Sequence, residues 1–236
     1  MLRFSLPVLL ALTLEPAGLV AQKTKPAGPW NDMQDKLRLA KTLQGTLELS
    51  LETADQKLEL TGPLHLAAGN KVRLELKGLR NDKAAALTFL SDGKTLRLRG
   101  LDDQEKEEPA PGDLQERFLY LLGRTGMGAG LLISREMKKV EKNQPWDKWY
   151  YVSLFKSLGE RVEEKRMRIG VQHNLRIGGL TSYRVECWLD KEDKLPAARF
   201  VQPSLKTTKD KLLIVEKYQL KLDQPIEEKV FMLELK

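Results

Sequence analysis

The sequence predicts an α+β protein built on a large antiparallel sheet, and three observations carry that expectation. Between residues 43 and 99 an aliphatic side chain recurs at nearly every second position, as in Leu47, Leu49 and Leu51, or Leu58 and Leu60. The same spacing continues through Leu64 and Leu66, then Val72, Leu74 and Leu76, then Leu96 and Leu98. A period of two describes strands with one oily and one wet face, the wet side chains here being Glu48, Ser50, Arg73, Glu75, Arg97 and Arg99. Turn-forming pairs punctuate the runs, and stretches of helical spacing stand before and after them, which gives the order helix, meander, helices, meander. A sheet of this size curls, and its oily face must be covered by helices, close on itself, or hold something apolar.

The N-terminus reads as an export signal. Arg3 precedes residues 4–14, which are apolar apart from Ser5 and Thr13, and small residues from 16 to 21 lead to Gln22. The run is too short to span a membrane as a helix. Cleavage after Ala21 leaves a polar linker, residues 22–29, and a single domain, residues 30–236, expected to be exported, periplasmic and soluble.

Within that domain Asn31 is placed to cap a helix reaching about Leu43, with Met33, Leu37 and Ala40 on one face. Asp55-Gln56, Gly62-Pro63, Gly69-Asn70, Asn81-Asp82 and Asp92-Gly93 supply turn chemistry for the first meander. Residues 101–111 read as a charged loop, and Asp113 as the cap of a second helix with the stripe Leu114, Phe118, Leu121 and Leu122. A glycine-rich stretch, residues 123–130, leads into an amphipathic segment, 131–141, and an aromatic-rich one, 145–155, that fits helix or strand equally. Strands are expected over 160–171, 182–189, 197–202, 212–222 and 230–235.

Composition narrows the function classes. Forty basic residues against 33 acidic give a formal charge of +7, but the signs alternate along the chain. No basic block is interleaved with aromatics, which argues against a nucleic-acid partner. One cysteine, Cys187, excludes an internal disulfide and reads as a buried thiol. His65 and His173 have no third ligand at a recognisable spacing, so no metal site is expected. The glycines at 123–130 lack the Lys-Ser/Thr of a phosphate loop and read as a hinge between helices. No nucleophile elbow or paired catalytic carboxylates occur, so the chain is expected to be non-enzymatic and to need no cofactor. Trp146, Trp149, Tyr150 and Tyr151 form the densest aromatic patch, which fits a core cluster or a ligand-facing lid.

The C-terminal strands resemble a known superfamily. Trp188-Leu189-Asp190, then Leu195-Pro196, then Tyr218, Leu222-Asp223 and Phe231 follow the pattern that closes the lipoprotein-carrier proteins: LolA, LolB, and the sensor domain of RseB-type regulators. Asp92-Gly93-Lys94-Thr95-Leu96 is similar to the strand turn of their first half. One departure stands out, since residues 190–193 read Asp-Lys-Glu-Asp where those carriers have Asp-Pro-x-Thr. The resemblance implies an incomplete antiparallel β-barrel with helices packed in its concave side. Its groove wall would be Leu47, Leu49, Leu51, Leu58, Leu60, Leu74, Leu76, Leu96 and Leu98. Its lid and hinge would involve Gly123, Gly126, Gly128, Gly130, Trp146 and Trp149. It further implies a monomer that binds lipid or acylated protein without covalent chemistry and works with a membrane-bound protein partner. The family's gating arginine falls by location on Arg73, Arg80, Arg97 or Arg99. The alternative is a regulatory or protein-interaction module whose groove is filled by its own side chains.

Overall fold

A computed structural model describes residues 28–128, 150–177, 181–204 and 212–233. Eleven strands form one antiparallel sheet: β1 (Thr42–Glu52), β2 (Lys57–Ala67), β3 (Lys71–Arg80), β4 (Lys83–Asp92), β5 (Thr95–Arg99), β6 (Glu105–Pro109), β7 (Tyr150–Glu163), β8 (Arg166–Ile177), β9 (Thr181–Asp190), β10 (Pro196–Pro203) and β11 (Leu213–Leu222). Their spatial order is β6-β5-β4-β3-β2-β1-β11-β10-β9-β8-β7, two meanders joined in the middle by pairing of β1 with β11 from Leu43–Leu222 to Glu52–Leu213. β6 and β7 end the sheet without pairing to each other, so the barrel is incomplete.

The period-two leucines do what their spacing implies. Leu47, Leu49, Leu58, Leu60, Leu64, Leu66, Leu74 and Leu76 are buried on one face and belong to one core with Val171, Leu175, Val185 and Ile214 of the second meander. Helix α1 (Gly28–Leu39) enters that core through Trp30, Met33 and Leu37. Trp30 packs at a tilt against Phe155 of β7 and His173 of β8, with ring centroids 5.4 and 4.5 Å apart. Helix α2 (Leu114–Tyr120) buries Leu114 and Phe118, the latter edge-on to Phe89 of β4 at 5.7 Å. The helices thus divide the concave side, α1 against the second meander and α2 against the first.

Several boundaries differ from the sequence reading, each for a local reason. α1 starts at Gly28 and stops at Leu39, so Gly28 and Pro29 are its first turn rather than linker, and Asn31 lies inside it. Gly62-Pro63 is no turn; β2 runs straight through it. Leu58, Leu60, Leu64 and Leu66 share parity, and only an unbroken strand keeps all four on the oily face. Pro63 has no N–H to donate, and the pairing with β3 passes from Thr61–Lys77 to Leu64–Leu74. The charged segment at 105–109 is not a loop but edge strand β6, joined to β5 by Arg97–Glu107 at 3.1 Å. Glu164 and Lys165, both with positive φ, turn β7 into β8, so residues 160–171 are two strands and not one. The tail carries a 3₁₀ turn at Glu228–Phe231 in place of the expected strand, with Phe231 buried and Arg73 donating to the Val230 carbonyl at 2.8 Å. The turns at Gly69-Asn70, Asn81-Asp82 and Asp92-Gly93 stand as expected, with positive φ at Gly69, Asn70, Asn81, Asp82 and Gly93.

The motif that carries the resemblance has a structural job. The Asp190 carboxylate accepts from the backbone N–H of Glu192 (2.8 Å) and Asp193 (3.3 Å), and pairs with Arg166 (2.8 Å) and with buried Arg168. Asp190 N–H donates to the Leu195 carbonyl at 2.9 Å. Asp190 and Leu195 therefore close the β9–β10 hairpin, and Trp188 lies beneath Arg161, whose guanidinium carbon sits 3.7 Å from the ring centroid.

Candidate functional site

The concave wall carries two buried charges along one line. Strand register places Leu49, Glu216, Arg199, Cys187 and Val171 side by side across β1, β11, β10, β9 and β8. Arg199 and Glu216 are each 0 % exposed. A buried cation and anion at the centre of a hydrocarbon wall are costly, and partners must satisfy them. Those partners come from the segment that follows α2.

After Tyr120 the helix widens into a π turn, Leu121–Thr125, and Gly126 N–H donates five residues back to the Leu121 carbonyl at 2.8 Å. Gly126, at φ 94°, then ends the helix, and the Leu122 and Gly123 carbonyls find their donors elsewhere. Arg199 Nη2 donates to Leu122 O at 2.9 Å, and Gln34 Nε2 of α1 donates to Gly123 O at 2.6 Å. Beyond the break, Gly128 N–H donates to Glu216 Oε1 at 2.7 Å. Met127 N–H donates to the Tyr218 hydroxyl at 3.2 Å, which itself donates to Glu216 Oε2. Four hydrogen bonds thus fasten residues 121–128, two at each end, and three of the four fall on Arg199, Glu216 or Tyr218.

The glycines serve close approach. A side chain at Gly126 would meet the Glu216 carboxylate, and one at Gly128 would meet Leu49. Leu122 and Met127 are fully buried between them. Gly126 and Gly128 are therefore contact positions over the wall, and Gly123 is one against Gln34 of α1; Gly130, Trp146 and Trp149 lie outside the described residues.

Charge behaviour follows from burial. Burial disfavours the Arg199 cation, but Cys187, Tyr218 and Glu216 together hold it above its ordinary value, so it stays charged. Burial and then Glu216 push the Tyr218 hydroxyl well up, and burial raises the Cys187 thiol, which makes that thiol a poor nucleophile. His173 is driven down to about 3 by burial and by Arg199, and is neutral at physiological pH. Its neighbours are the rings of Trp30 and Phe155. Among the described residues no group of His, Cys, Asp and Glu is placed to hold a metal ion.

The groove residues expected from sequence come together: Leu47, Leu49, Leu51, Leu58, Leu60, Leu74, Leu76 and Leu96 are buried in the one core, and Leu98 packs against its edge. Trp30, Met33, Phe118, Leu122 and Met127 occupy the concave side. The four arginines considered by location lie elsewhere. Arg73 binds Glu75 and the Val230 carbonyl, Arg97 binds Glu107, Arg99 binds Asp103, and Arg80 closes the β3–β4 hairpin opposite Lys83. The arginine on the inner face is Arg199. Its signal was present in the alternation: Arg199 shares parity with Ala197 and Val201, and Glu216 with Ile214 and Tyr218, so each charge sits where an oily residue is due.

An open antiparallel barrel with helices packed on its concave side, over a leucine-rich wall that holds two buried charges, is the class of molecule that fold and site define. No family model matches the chain, and no curated protein matches it in sequence. Solved structures do. The chain is similar to the lipoprotein LppX of Mycobacterium tuberculosis, at 10% identity and a TM-score of 0.43 over 84% of this chain and 95% of that one. It is similar to the MucA/MucB complex of Pseudomonas aeruginosa, at 20% identity and TM-score 0.41 over 85% of this chain and 59% of that one. It is also similar to a LolA superfamily protein of Nitrosomonas europaea, at 11% identity and TM-score 0.35 over 86% and 96%. At this level of identity and overlap the likeness assigns no residue a role.

Proposed function

We propose that this is an exported, non-enzymatic binding protein that takes an acyl chain of a lipid or lipidated protein into the concave groove when residues 121–128 lift. The observation that supports this reading most is the fastening itself. A segment meant only to complete a core would be held best by apolar packing, because a buried charged pair is often no more stabilising than hydrophobic residues of the same volume. Here the segment is tied through backbone carbonyls and N–H groups to Arg199, Glu216 and Tyr218, contacts that can be made and released without rebuilding the wall.

The energies are compatible. Four hydrogen bonds contribute roughly 4 kcal/mol net. Burying a sixteen-carbon chain is worth about 13 kcal/mol as an upper bound, which offsets those bonds and part of the lid's own apolar contacts. Arg199 is the latch in this reading, and the leucines of β1, β2, β3 and β5 are the surface uncovered.

The second reading, an interaction module with a self-filled groove, is favoured by one observation: Trp30, Phe118 and Leu122 already pack the concave side. Native mass spectrometry of the protein purified from its cellular compartment separates the two. Co-purifying lipid, or uptake of an added fatty acyl probe, supports the carrier or receptor. A clean apo mass with no uptake leaves the interaction module.

A further inference from the structure

His173 is wholly buried on the inner face of β8, in the same parity as Val171 and Leu175. Neither of its ring nitrogens has a hydrogen-bond partner. A buried imidazole of this kind is costly, and it becomes far more so once it carries a charge. It is covered by the same elements that cover the wall. Trp30 of α1 lies against it at 4.5 Å, Phe155 of β7 flanks it at 5.7 Å, and the Arg124 backbone of the π turn lies close enough to act on it. Arg199, which fastens Leu122, is the charged side chain that acts on it among the described residues. α1 and the π turn are themselves joined, since Gln34 donates to the Gly123 carbonyl.

We infer that α1 and residues 121–128 form one cover that acid lifts from the second meander, with His173 as the group that takes the proton. A proton settles on the imidazole only where water solvates the new charge, and water reaches His173 only when Trp30 and the π turn move off it. Protonation and lifting are therefore a single linked equilibrium. The surroundings do not reverse its sign. The Arg124 backbone favours the proton, but burial first and Arg199 second outweigh it, so the covered ring titrates at about 3 against 6.5 in water. Cys187, Tyr218 and Glu216, the other titratable groups of this part of the wall, act on Arg199. The lifted form at pH 5 thus gains up to about 30-fold over its share at pH 7.5. The inference rests on the reading above for the lifting of residues 121–128 and adds what regulates it.

Hydrogen exchange of the full chain at pH 7.5 and pH 5, corrected for the intrinsic effect of pH on exchange, tests this with no ligand present. Protection over residues 31–39 and 121–128 is expected to fall by roughly 10- to 30-fold between the two, while β1, β2 and β3 keep theirs. His173→Gln and His173→Phe are expected to abolish the fall. His65→Gln, which replaces the chain's other histidine, is expected to keep it. Unchanged protection in both segments overturns the inference, and so does a loss shared equally by β1 to β3, which is general unfolding. A fall that survives in a folded His173 variant overturns the assignment to His173 and passes it to a carboxylate such as Glu216. Should neither His173 variant fold, loss of the fall in His65→Gln overturns the assignment instead. Acid lifting with no uptake of a fatty acyl probe at either pH removes the acyl-binding reading and leaves this inference standing.

Discussion

Arg199 and Glu216 face each other in register across β10 and β11, both wholly buried, and each holds one end of the same eight-residue segment over the leucine wall. On the proposed reading, stability and lid closure are linked through these two side chains.

Removing either charge alone takes a nearby opposite charge away from a buried ion. Arg199→Met and Glu216→Leu are each expected to destabilise by about 3–5 kcal/mol in urea unfolding. The double variant is expected to recover most of that loss, because a well-packed apolar pair substitutes adequately for a buried ionic one. Additive losses in the double variant would show that the two residues are not energetically coupled.

The break after the π turn is tied to glycine at one position. Gly126 has φ 94°, and a side chain there runs into the Glu216 carboxylate. Gly126→Ala is expected to cost about 1–3 kcal/mol and to speed hydrogen exchange in residues 121–128. Gly112→Ala is the matched control, since nothing lies within 4 Å of its added methyl. Equal effects from the two substitutions would contradict the close-approach role.

Acid should weaken the fold through His173. Its folded value near 3 lies below the ordinary 6.5, so from about pH 6.5 down to 3 the unfolded chain binds a proton that the folded one refuses. Stability therefore falls with pH across that window, by up to about 1.4 kcal/mol per unit from this one site, and levels off above it. His173→Phe, which keeps an aromatic ring against Trp30 and Phe155, is expected to flatten the slope between pH 4 and 6. An unchanged slope would place the acid sensitivity in other groups.

The β9–β10 hairpin depends on Asp190. Asp190→Ala leaves buried Arg168 without its partner and frees two turn N–H groups, and is expected to destabilise by roughly 3–5 kcal/mol. Thermal unfolding followed by circular dichroism measures it. Asp193→Ala, which removes one acceptor at an exposed turn, should cost far less.

Much of the architecture was legible because the leucine parity from β1 to β5 is so regular that Leu58, Leu60, Leu64 and Leu66 fix one face even across Gly62-Pro63. The turns missed were those lacking the usual chemistry: Glu164-Lys165 adopts positive φ at two residues that ordinarily avoid it. β6 was hidden because an edge strand of alternating charges has no oily face to announce it. α2 was read with Asp113 as its cap, but Asp113 makes no capping bond and pairs with Arg117 at 2.8 Å. The first-turn N–H of Gln115 is met by Asn70 Oδ1 from the β2–β3 turn at 3.3 Å, a partner forty-five residues away that no local pattern reveals. Arg199 and Glu216 escaped for a similar reason. Each is one charged residue in a chain dense with them, and only the cross-strand register shows that the two meet.

The segment at residues 121–128, the lid of the proposed reading, lies in sequence between β6 and β7, the two borders of the sheet among the described residues. It is thus tethered at both ends and cannot diffuse away when displaced, so its return is an intramolecular step at fixed local concentration. On the proposed reading, any guest competes with a built-in rival that is always present, and its apparent affinity is its intrinsic affinity scaled by the fraction of molecules standing open. Substitutions that loosen the latch should therefore tighten binding without touching the guest, and dilution of the protein should leave that balance unaltered.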